Sequence, residues 1–367
     1  MSPTSGADVR PGATPPGPAM PGGPLGGPSA WRGEAMARTD EWIVRLSPGE
    51  VAEVDEALAR VRALGLDVAR IRREDFPLPS LGPALDGIRR ELLTGRGFVL
   101  LRGLPVERYS LADAAMTYWG LGTYIGAARS QNAAGHVLGH VRDVGRDADD
   151  PDARVYQTNR RQNYHTDSVD VVGLLCWRRA RAGGLSSIVS SVTAYNEMLA
   201  RRPDLVPVMF EPLPTDRRGE VPAGRKPYFS IPAFNWHGGL LSTIYVRRYI
   251  ESSQRFPDAP RLTGRQREAM DVLDAILEDP SLHLFMDFEP GDIQLLHNHQ
   301  ILHDRTAFED WPEPDRKRHL LRLWLCPPDG RPLPDCLADR YGGVTIGDRG
   351  GIVVPGARLH VSLDAGG

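Results

Sequence analysis

The sequence predicts one mainly β domain with flanking helices, and three observations carry that expectation. Much of the chain consists of short apolar runs separated by Gly, Pro, Asn and Asp, the pattern of strands and turns. Helix-period apolar stretches with capping residues occur as separate segments between and beside those runs. No fixed-period repeat or break in composition divides the 367 residues, so residues 39–367 are expected to form a single body, long enough to bury a sizeable core.

Residues 1–38 are rich in Pro, Gly, Ser and Ala. Such a composition buries too little apolar surface to offset chain entropy, and a disordered tail is expected. In "LSPGEVAEVDEALARVRALG", Ser47 and Glu50 have capping-box spacing, and Val51, Val54, Leu58, Val61 and Leu64 share one helical face. A second helical stretch, about Leu85–Leu93, stops at Gly95, and "GFVLLRGLP" then reads as a buried strand. A capped helix runs from Ser110 to about Trp119. Another is expected where Thr263 and Gln266 precede "REAMDVLDAILED". "DIQLL" and "KRHLLRLWL" read as strands near the end of the chain.

The formal net charge of -3 provides no global basic field for nucleic acid or an anionic membrane. "NWHGGLLSTIYVRRYIESSQRF" mixes aromatics with arginines, yet the acidic balance favours a lid or pocket wall over a nucleic-acid surface. A small-molecule partner is expected. Three widely spaced cysteines without a CxxC pair read as reduced thiols in a cytoplasm. The N-terminus lacks a secretory pattern, and no run nears the roughly 18 apolar residues that span a bilayer. The oligomeric state is left open, a homo-oligomer included.

Chemistry concentrates in two stretches. In "QNYHTDSVD", His165 and Asp167 stand two apart, on one side of an extended segment, where one metal could use both. Roughly one His-x-acid pair is expected by chance, and a hydrogen-bonded structural pair is the plain alternative. The second stretch, residues 289–325, holds His297, His299 and His303, any of which could complete a site of two histidines and a carboxylate. Alternation along "KRHLLRLWL" places Arg318, Leu320, Arg322 and Trp324 on one face of a strand that is apolar on both. Buried guanidinium groups keep their charge and need anionic partners. His136 and His140 could form a further metal pair, with loop and core roles as the simpler reading.

Taken in order, "HTD", then "GG" followed by a hydroxyl residue, then "GDIQLLHNHQILHDRTAF", then "RHLLRLWL" resemble the TauD/TfdA group of Fe(II)- and 2-oxoglutarate-dependent dioxygenases over about residues 95–327. The resemblance implies a double-stranded β-helix, or jelly-roll, core with the metal at its mouth. It implies His165, Asp167 and His303 as the Fe(II) ligands, since Asn298 fills the family's position five residues before the last of them. It implies Arg318 and a hydroxyl, Ser186 or its neighbour Ser187, for the distal carboxylate of 2-oxoglutarate, and Arg322 for cosubstrate or substrate. The implied reaction consumes O2, releases succinate and CO₂ and oxidises a C–H bond, most simply by hydroxylation.

Two neutral imidazoles and a carboxylate would leave Fe(II) open positions for a chelating keto acid and for O2. Counting charges leaves Arg322 without an obvious partner. The primary substrate is therefore expected to be anionic or zwitterionic, such as an amino acid or a natural-product intermediate. Two rival readings are a jelly-roll metalloenzyme that does not use 2-oxoglutarate and a non-catalytic module whose metal is closed by His297 or His299 as a fourth ligand.

Overall fold

The computed structural model describes residues 19–146, 154–352, 354 and 356–363. Two sheets form its centre. In chain order their strands are β1 (Ile43–Arg45), β2 (Phe98–Arg102), β3 (Ala127–Ala128), β4 (Leu138–Val141), β5 (Gln162–His165), β6 (Val171–Arg178), β7 (Ser186–Ser190), β8 (Leu284–Met286), β9 (Ile293–His297), β10 (Ile301–Arg305) and β11 (His319–Cys326). The larger sheet runs β1-β2-β9-β6-β11-β3, with β4 also on β11, and the smaller runs β8-β7-β10-β5. Apart from the parallel pair β1–β2, the pairings are antiparallel.

Strand alternation decides what each face does. In β9, Ile293 and Leu295 turn outward, while Leu296 joins Phe98, Leu100, Ile188, Leu284 and Ile301 between the sheets. In β11, Leu321, Leu323 and Leu325 pack outward. This register leaves Leu320, Arg322 and Trp324 on the inner face, so the same strand that seals the core delivers an arginine to the barrel interior.

Helices cover both outer faces. The helices α1 (Pro48–Ala63), α2 (Leu81–Thr94) and α3 (Leu111–Gly122) bury Val54, Leu58, Leu85, Leu92 and Tyr118 against the larger sheet. Ser47 and Ser110 close the capping boxes expected of them, and Gly95 ends α2. The smaller sheet is covered by α4 (Ser191–Arg201) and α5 (Gly264–Leu277) through Tyr195, Met198, Met270 and Leu273. Thr263 and Gln266 cap α5 as their spacing predicts.

One expectation is corrected. Residues 1–18 lie outside the described residues, but 19–38 do not form a free tail. Trp31 is buried and its Nε1 donates to Arg96 O at 2.9 Å. Leu25 exchanges two hydrogen bonds with the Asn196 amide, at 2.8 and 2.7 Å. Gly33 lies so close to the backbone of His283 that a Cβ would stand 1.8 Å from its oxygen. Composition alone hid this segment because its attachment rests on scattered contacts of Leu25, Trp31 and Gly33 rather than on a periodic apolar face.

Candidate metal centre and cosubstrate pocket

His165 closes β5, and His303 faces it across the ladder from β10 as its Cα partner, with ring centroids 4.1 Å apart. Asp167 follows two residues after His165. Ligand atoms of the three lie within 4.8 Å of one another, and no other such group of His, Cys, Asp and Glu exists among the described residues.

Each member is held in a form that can bind a metal. His165 Nδ1 donates to Asn163 O at 2.9 Å, which leaves Nε2 unprotonated, with a lone pair that can bind a metal. The Gln162 amide nitrogen stands 2.9 Å from that Nε2. Burial disfavours the imidazolium at both histidines, lowering His165 and bringing His303 to about 3. Both are therefore neutral near pH 7. Burial acts the other way on Asp167, but Arg322, the two histidines and the Trp324 hydrogen bond outweigh it and hold the carboxyl at about 2. Asp167 Oδ2 accepts from Trp324 Nε1 at 2.8 Å and from Arg322 Nη1 at 3.4 Å. Oδ1 lies toward His165, 3.9 Å from its Nε2.

Behind the triad, Asn298 clamps the ligand loop. Its Oδ1 accepts from Asp167 N at 2.8 Å, and its Nδ2 donates to Asp167 O at 2.6 Å and Val169 O at 2.9 Å. Neither neighbouring histidine joins the site. His299 Nε2 bonds Asp170 Oδ1 at 2.8 Å, and His297 pairs with the Gln300 amide. A metal closed by a fourth histidine thus finds no support here. His140 pairs with His319, and His136 packs on His360, so neither enters a metal group among the described residues.

A small pocket inside the barrel runs from the triad to Arg318 and is lined by Ser186, Arg305, Leu320 and Arg322. Arg318 is 4% exposed, and its Nη1 is buried without a hydrogen-bond partner. Burial lowers it to about 10, the displacement expected of a cation that lacks its anion. Of the two candidate hydroxyls, Ser186 lines this pocket and bonds Gln294 Nε2 at 2.9 Å. Ser187 points the other way, onto the Tyr164 hydroxyl at 2.5 Å. Arg322 departs from the charge count made on the sequence. Its Nη1 meets Asp167 and its Nε donates to Gln131 Oε1 at 2.8 Å, so it already has a carboxylate partner. That count treated Asp167 as neutralised by metal alone.

A model of the taurine catabolism dioxygenase TauD, TfdA family matches residues 60–324. The chain belongs to the TauD/TfdA family. Among its relatives, FR-33289 synthase of Streptomyces rubellomurinus is 31% identical over 88% of this chain and 96% of its own. A taurine hydroxylase-like protein of Stachybotrys chartarum is 32% identical over 83% of each. Uridine-5'-phosphate dioxygenase of an Amycolatopsis species is 28% identical over 46% of this chain and 62% of its own. Asparagine oxygenase, solved with Fe(II), hydroxyasparagine and succinate, superposes with a TM-score of 0.59 at 18% identity, covering 78% of this chain and 93% of that one. The iron oxygenase OrfP, solved with Fe, succinate and hydroxyarginine, gives 0.59 at 14%, covering 77% and 94%. These two structures share the jelly-roll fold.

As a TauD/TfdA enzyme the chain is a non-haem iron dioxygenase that uses Fe(II), 2-oxoglutarate and O2. Its residues fit those groups: two neutral imidazoles and an ionised carboxylate would make a suitable donor set for the metal, and a buried guanidinium N–H without a partner lies at the far end of the pocket. No helix among the described residues is long and apolar enough to cross a membrane.

Sequence reasoning placed Trp324 on the face of the two arginines without seeing that it binds Asp167, and used Asn298 only as a position marker. Arg305 went unnoticed, although its place two residues after His303 on one strand was a readable signal.

Proposed function

We propose that this dioxygenase hydroxylates a C–H bond of a small substrate that carries a carboxylate or other anionic group. The observation that supports this most directly is a second cavity, of about 620 Å³, that opens beside His165 and Asp167 and is walled by Arg217, Phe229, Tyr249, Arg322 and Arg340. Arg217 pairs with Asp339 at 2.9 Å, and its guanidinium stands 4.8 Å from the Phe229 ring. Arg340 lies 5.7 Å from the same ring and has no carboxylate within 4 Å among the described residues. This arginine takes over the role that the sequence assigned to Arg322. The names of the uridine-5'-phosphate and asparagine enzymes point to substrates that also bear anionic groups.

In this reading His165, Asp167 and His303 hold the iron, which when bound supplies the redox chemistry that couples decarboxylation of 2-oxoglutarate to C–H oxidation. Arg318 and Ser186 hold the distal carboxylate of 2-oxoglutarate. Trp324 and Arg322 occupy Oδ2 of Asp167, keeping the carboxylate ionised and leaving Oδ1 as the oxygen that would serve a metal. Asn298 fixes the loop that carries it. The segment 246–251 walls the cavity, as the lid-or-wall reading of that stretch requires, and limits water at the reacting bond.

Succinate release, screened across amino acids and natural-product intermediates, tests the reading. An anionic or zwitterionic compound should stimulate release and gain one oxygen atom by mass spectrometry. Stimulation only by compounds that carry no anionic group would contradict it.

A further inference from the structure

We propose that Arg305 is a second cation of the cosubstrate pocket, acting with Arg318 on the distal carboxylate of 2-oxoglutarate and so selecting a 2-oxo acid that has one. The proposal rests on the family's use of 2-oxoglutarate and adds a residue to that binding site.

Position comes first. Arg305 stands two residues beyond His303 on β10, so both side chains project to the same side. Its Cα partner across the ladder is Ser186, the hydroxyl of the same pocket. Arg305 and Arg318 both line that pocket and are 6% and 4% exposed. Their guanidinium carbons stand 4.7 and 5.1 Å from the ring of Phe308, which places the two cations around one aromatic side chain. Gly184, at φ +72°, leaves space for Arg318, since a Cβ there would lie 2.9 Å from its Nε.

Charge makes the arrangement informative. Arg305 donates through Nη1 to Thr158 O at 3.0 Å and through Nη2 to Arg160 O. Carbonyls orient a guanidinium without neutralising it. Neither guanidinium has a carboxylate within 4 Å among the described residues; Asp310 comes near, but its Oδ1 accepts from the Arg318 backbone N, at 2.6 Å, rather than from the side chain. Each also keeps a buried N–H without an acceptor, Nε on Arg305 and Nη1 on Arg318. Two buried like charges in one pocket are strongly unfavourable until an anion joins them. The distal carboxylate, with two oxygens, can accept from both, while the keto-acid end lies toward the triad.

A merely structural Arg305 would tether residues 158–160 and do nothing for the cosubstrate. The two roles separate when 2-oxoglutarate is compared with 2-oxobutanoate, which chelates through the same keto acid and lacks the distal carboxylate. Dissociation constants are measured anaerobically on the Fe(II) protein from the visible charge-transfer band and from tryptophan quenching, with melting temperature recorded for each variant. Arg305→Gln should weaken 2-oxoglutarate roughly tenfold to a hundredfold and leave 2-oxobutanoate nearly unchanged. Arg318→Gln should keep a residual preference for 2-oxoglutarate, because Arg305 remains.

Equal weakening of both acids in Arg305→Gln, or of neither, overturns the proposal. If that variant does not fold, Arg318→Gln decides, and complete loss of preference there overturns it. A wild-type protein that shows no band with either acid would instead remove the 2-oxoglutarate reading on which the proposal stands.

Discussion

At Asp167, burial and charge pull in opposite directions, and the two donors on Oδ2 help settle the outcome. Replacing His165, Asp167 or His303 singly by Ala should abolish substrate-dependent succinate formation; the two histidine variants should melt close to wild type, whereas Asp167→Ala should also lose stability because it strands the buried Arg322 guanidinium. His299→Ala should do the reverse, losing stability because it removes one of the hydrogen bonds to the buried Asp170, at 2.8 Å. Full activity in His303→Ala would show that the third ligand is misplaced. Arg318→Ala should raise the 2-oxoglutarate concentration needed for half-maximal turnover at least a hundredfold, since deleting one partner of a buried ion pair costs about 3–5 kcal/mol. The candidate ligands were legible because alternation and motif order act locally. The partner of Arg322 was not, because it depends on how β11 faces the end of β5 across the barrel.

Between residue and fold stand the turns that aim these strands. Gly291 leads into β9 at φ +91°, and a Cβ there would fall 1.8 Å from Leu104 O. Gly291→Ala should cost more than the about 1–3 kcal/mol of a left-handed backbone alone, read by urea unfolding. Asn298→Ala removes the three hydrogen bonds that shape the Asp167 loop and should weaken iron binding roughly tenfold to a hundredfold while leaving the fold intact. Equal iron affinity in that variant would make the clamp irrelevant. The capped helices α1, α3 and α5 were readable from four-residue signatures. By contrast, α4 carries no such signature, because Ser190 caps it with Thr193 rather than Glu or Gln at the third helical position, so no capping box marks its start.

Across the whole molecule, the C-terminal segment is tied to the loop behind the metal. Arg349 Nη2 meets Asp170 Oδ1 at 2.7 Å with both side chains essentially unexposed, and Gly351 N donates to Ser168 O at 2.7 Å. Arg349→Met should cost about 3–5 kcal/mol of stability, because it leaves the buried Asp170 carboxylate with His299 but without its guanidinium partner. No sequence motif announces this pair, because its partners are 179 residues apart. The central claim is that His165, Asp167 and His303 hold Fe(II) so that 2-oxoglutarate binds between the metal and Arg318. Anaerobic titration of the Fe(II) protein with 2-oxoglutarate tests it most directly. The account predicts a visible charge-transfer band that saturates with one equivalent of Fe(II), disappears in His165→Ala and needs far more 2-oxoglutarate in Arg318→Ala. A wild-type protein that binds Fe(II) and shows no band, or a band indifferent to both substitutions, would contradict it.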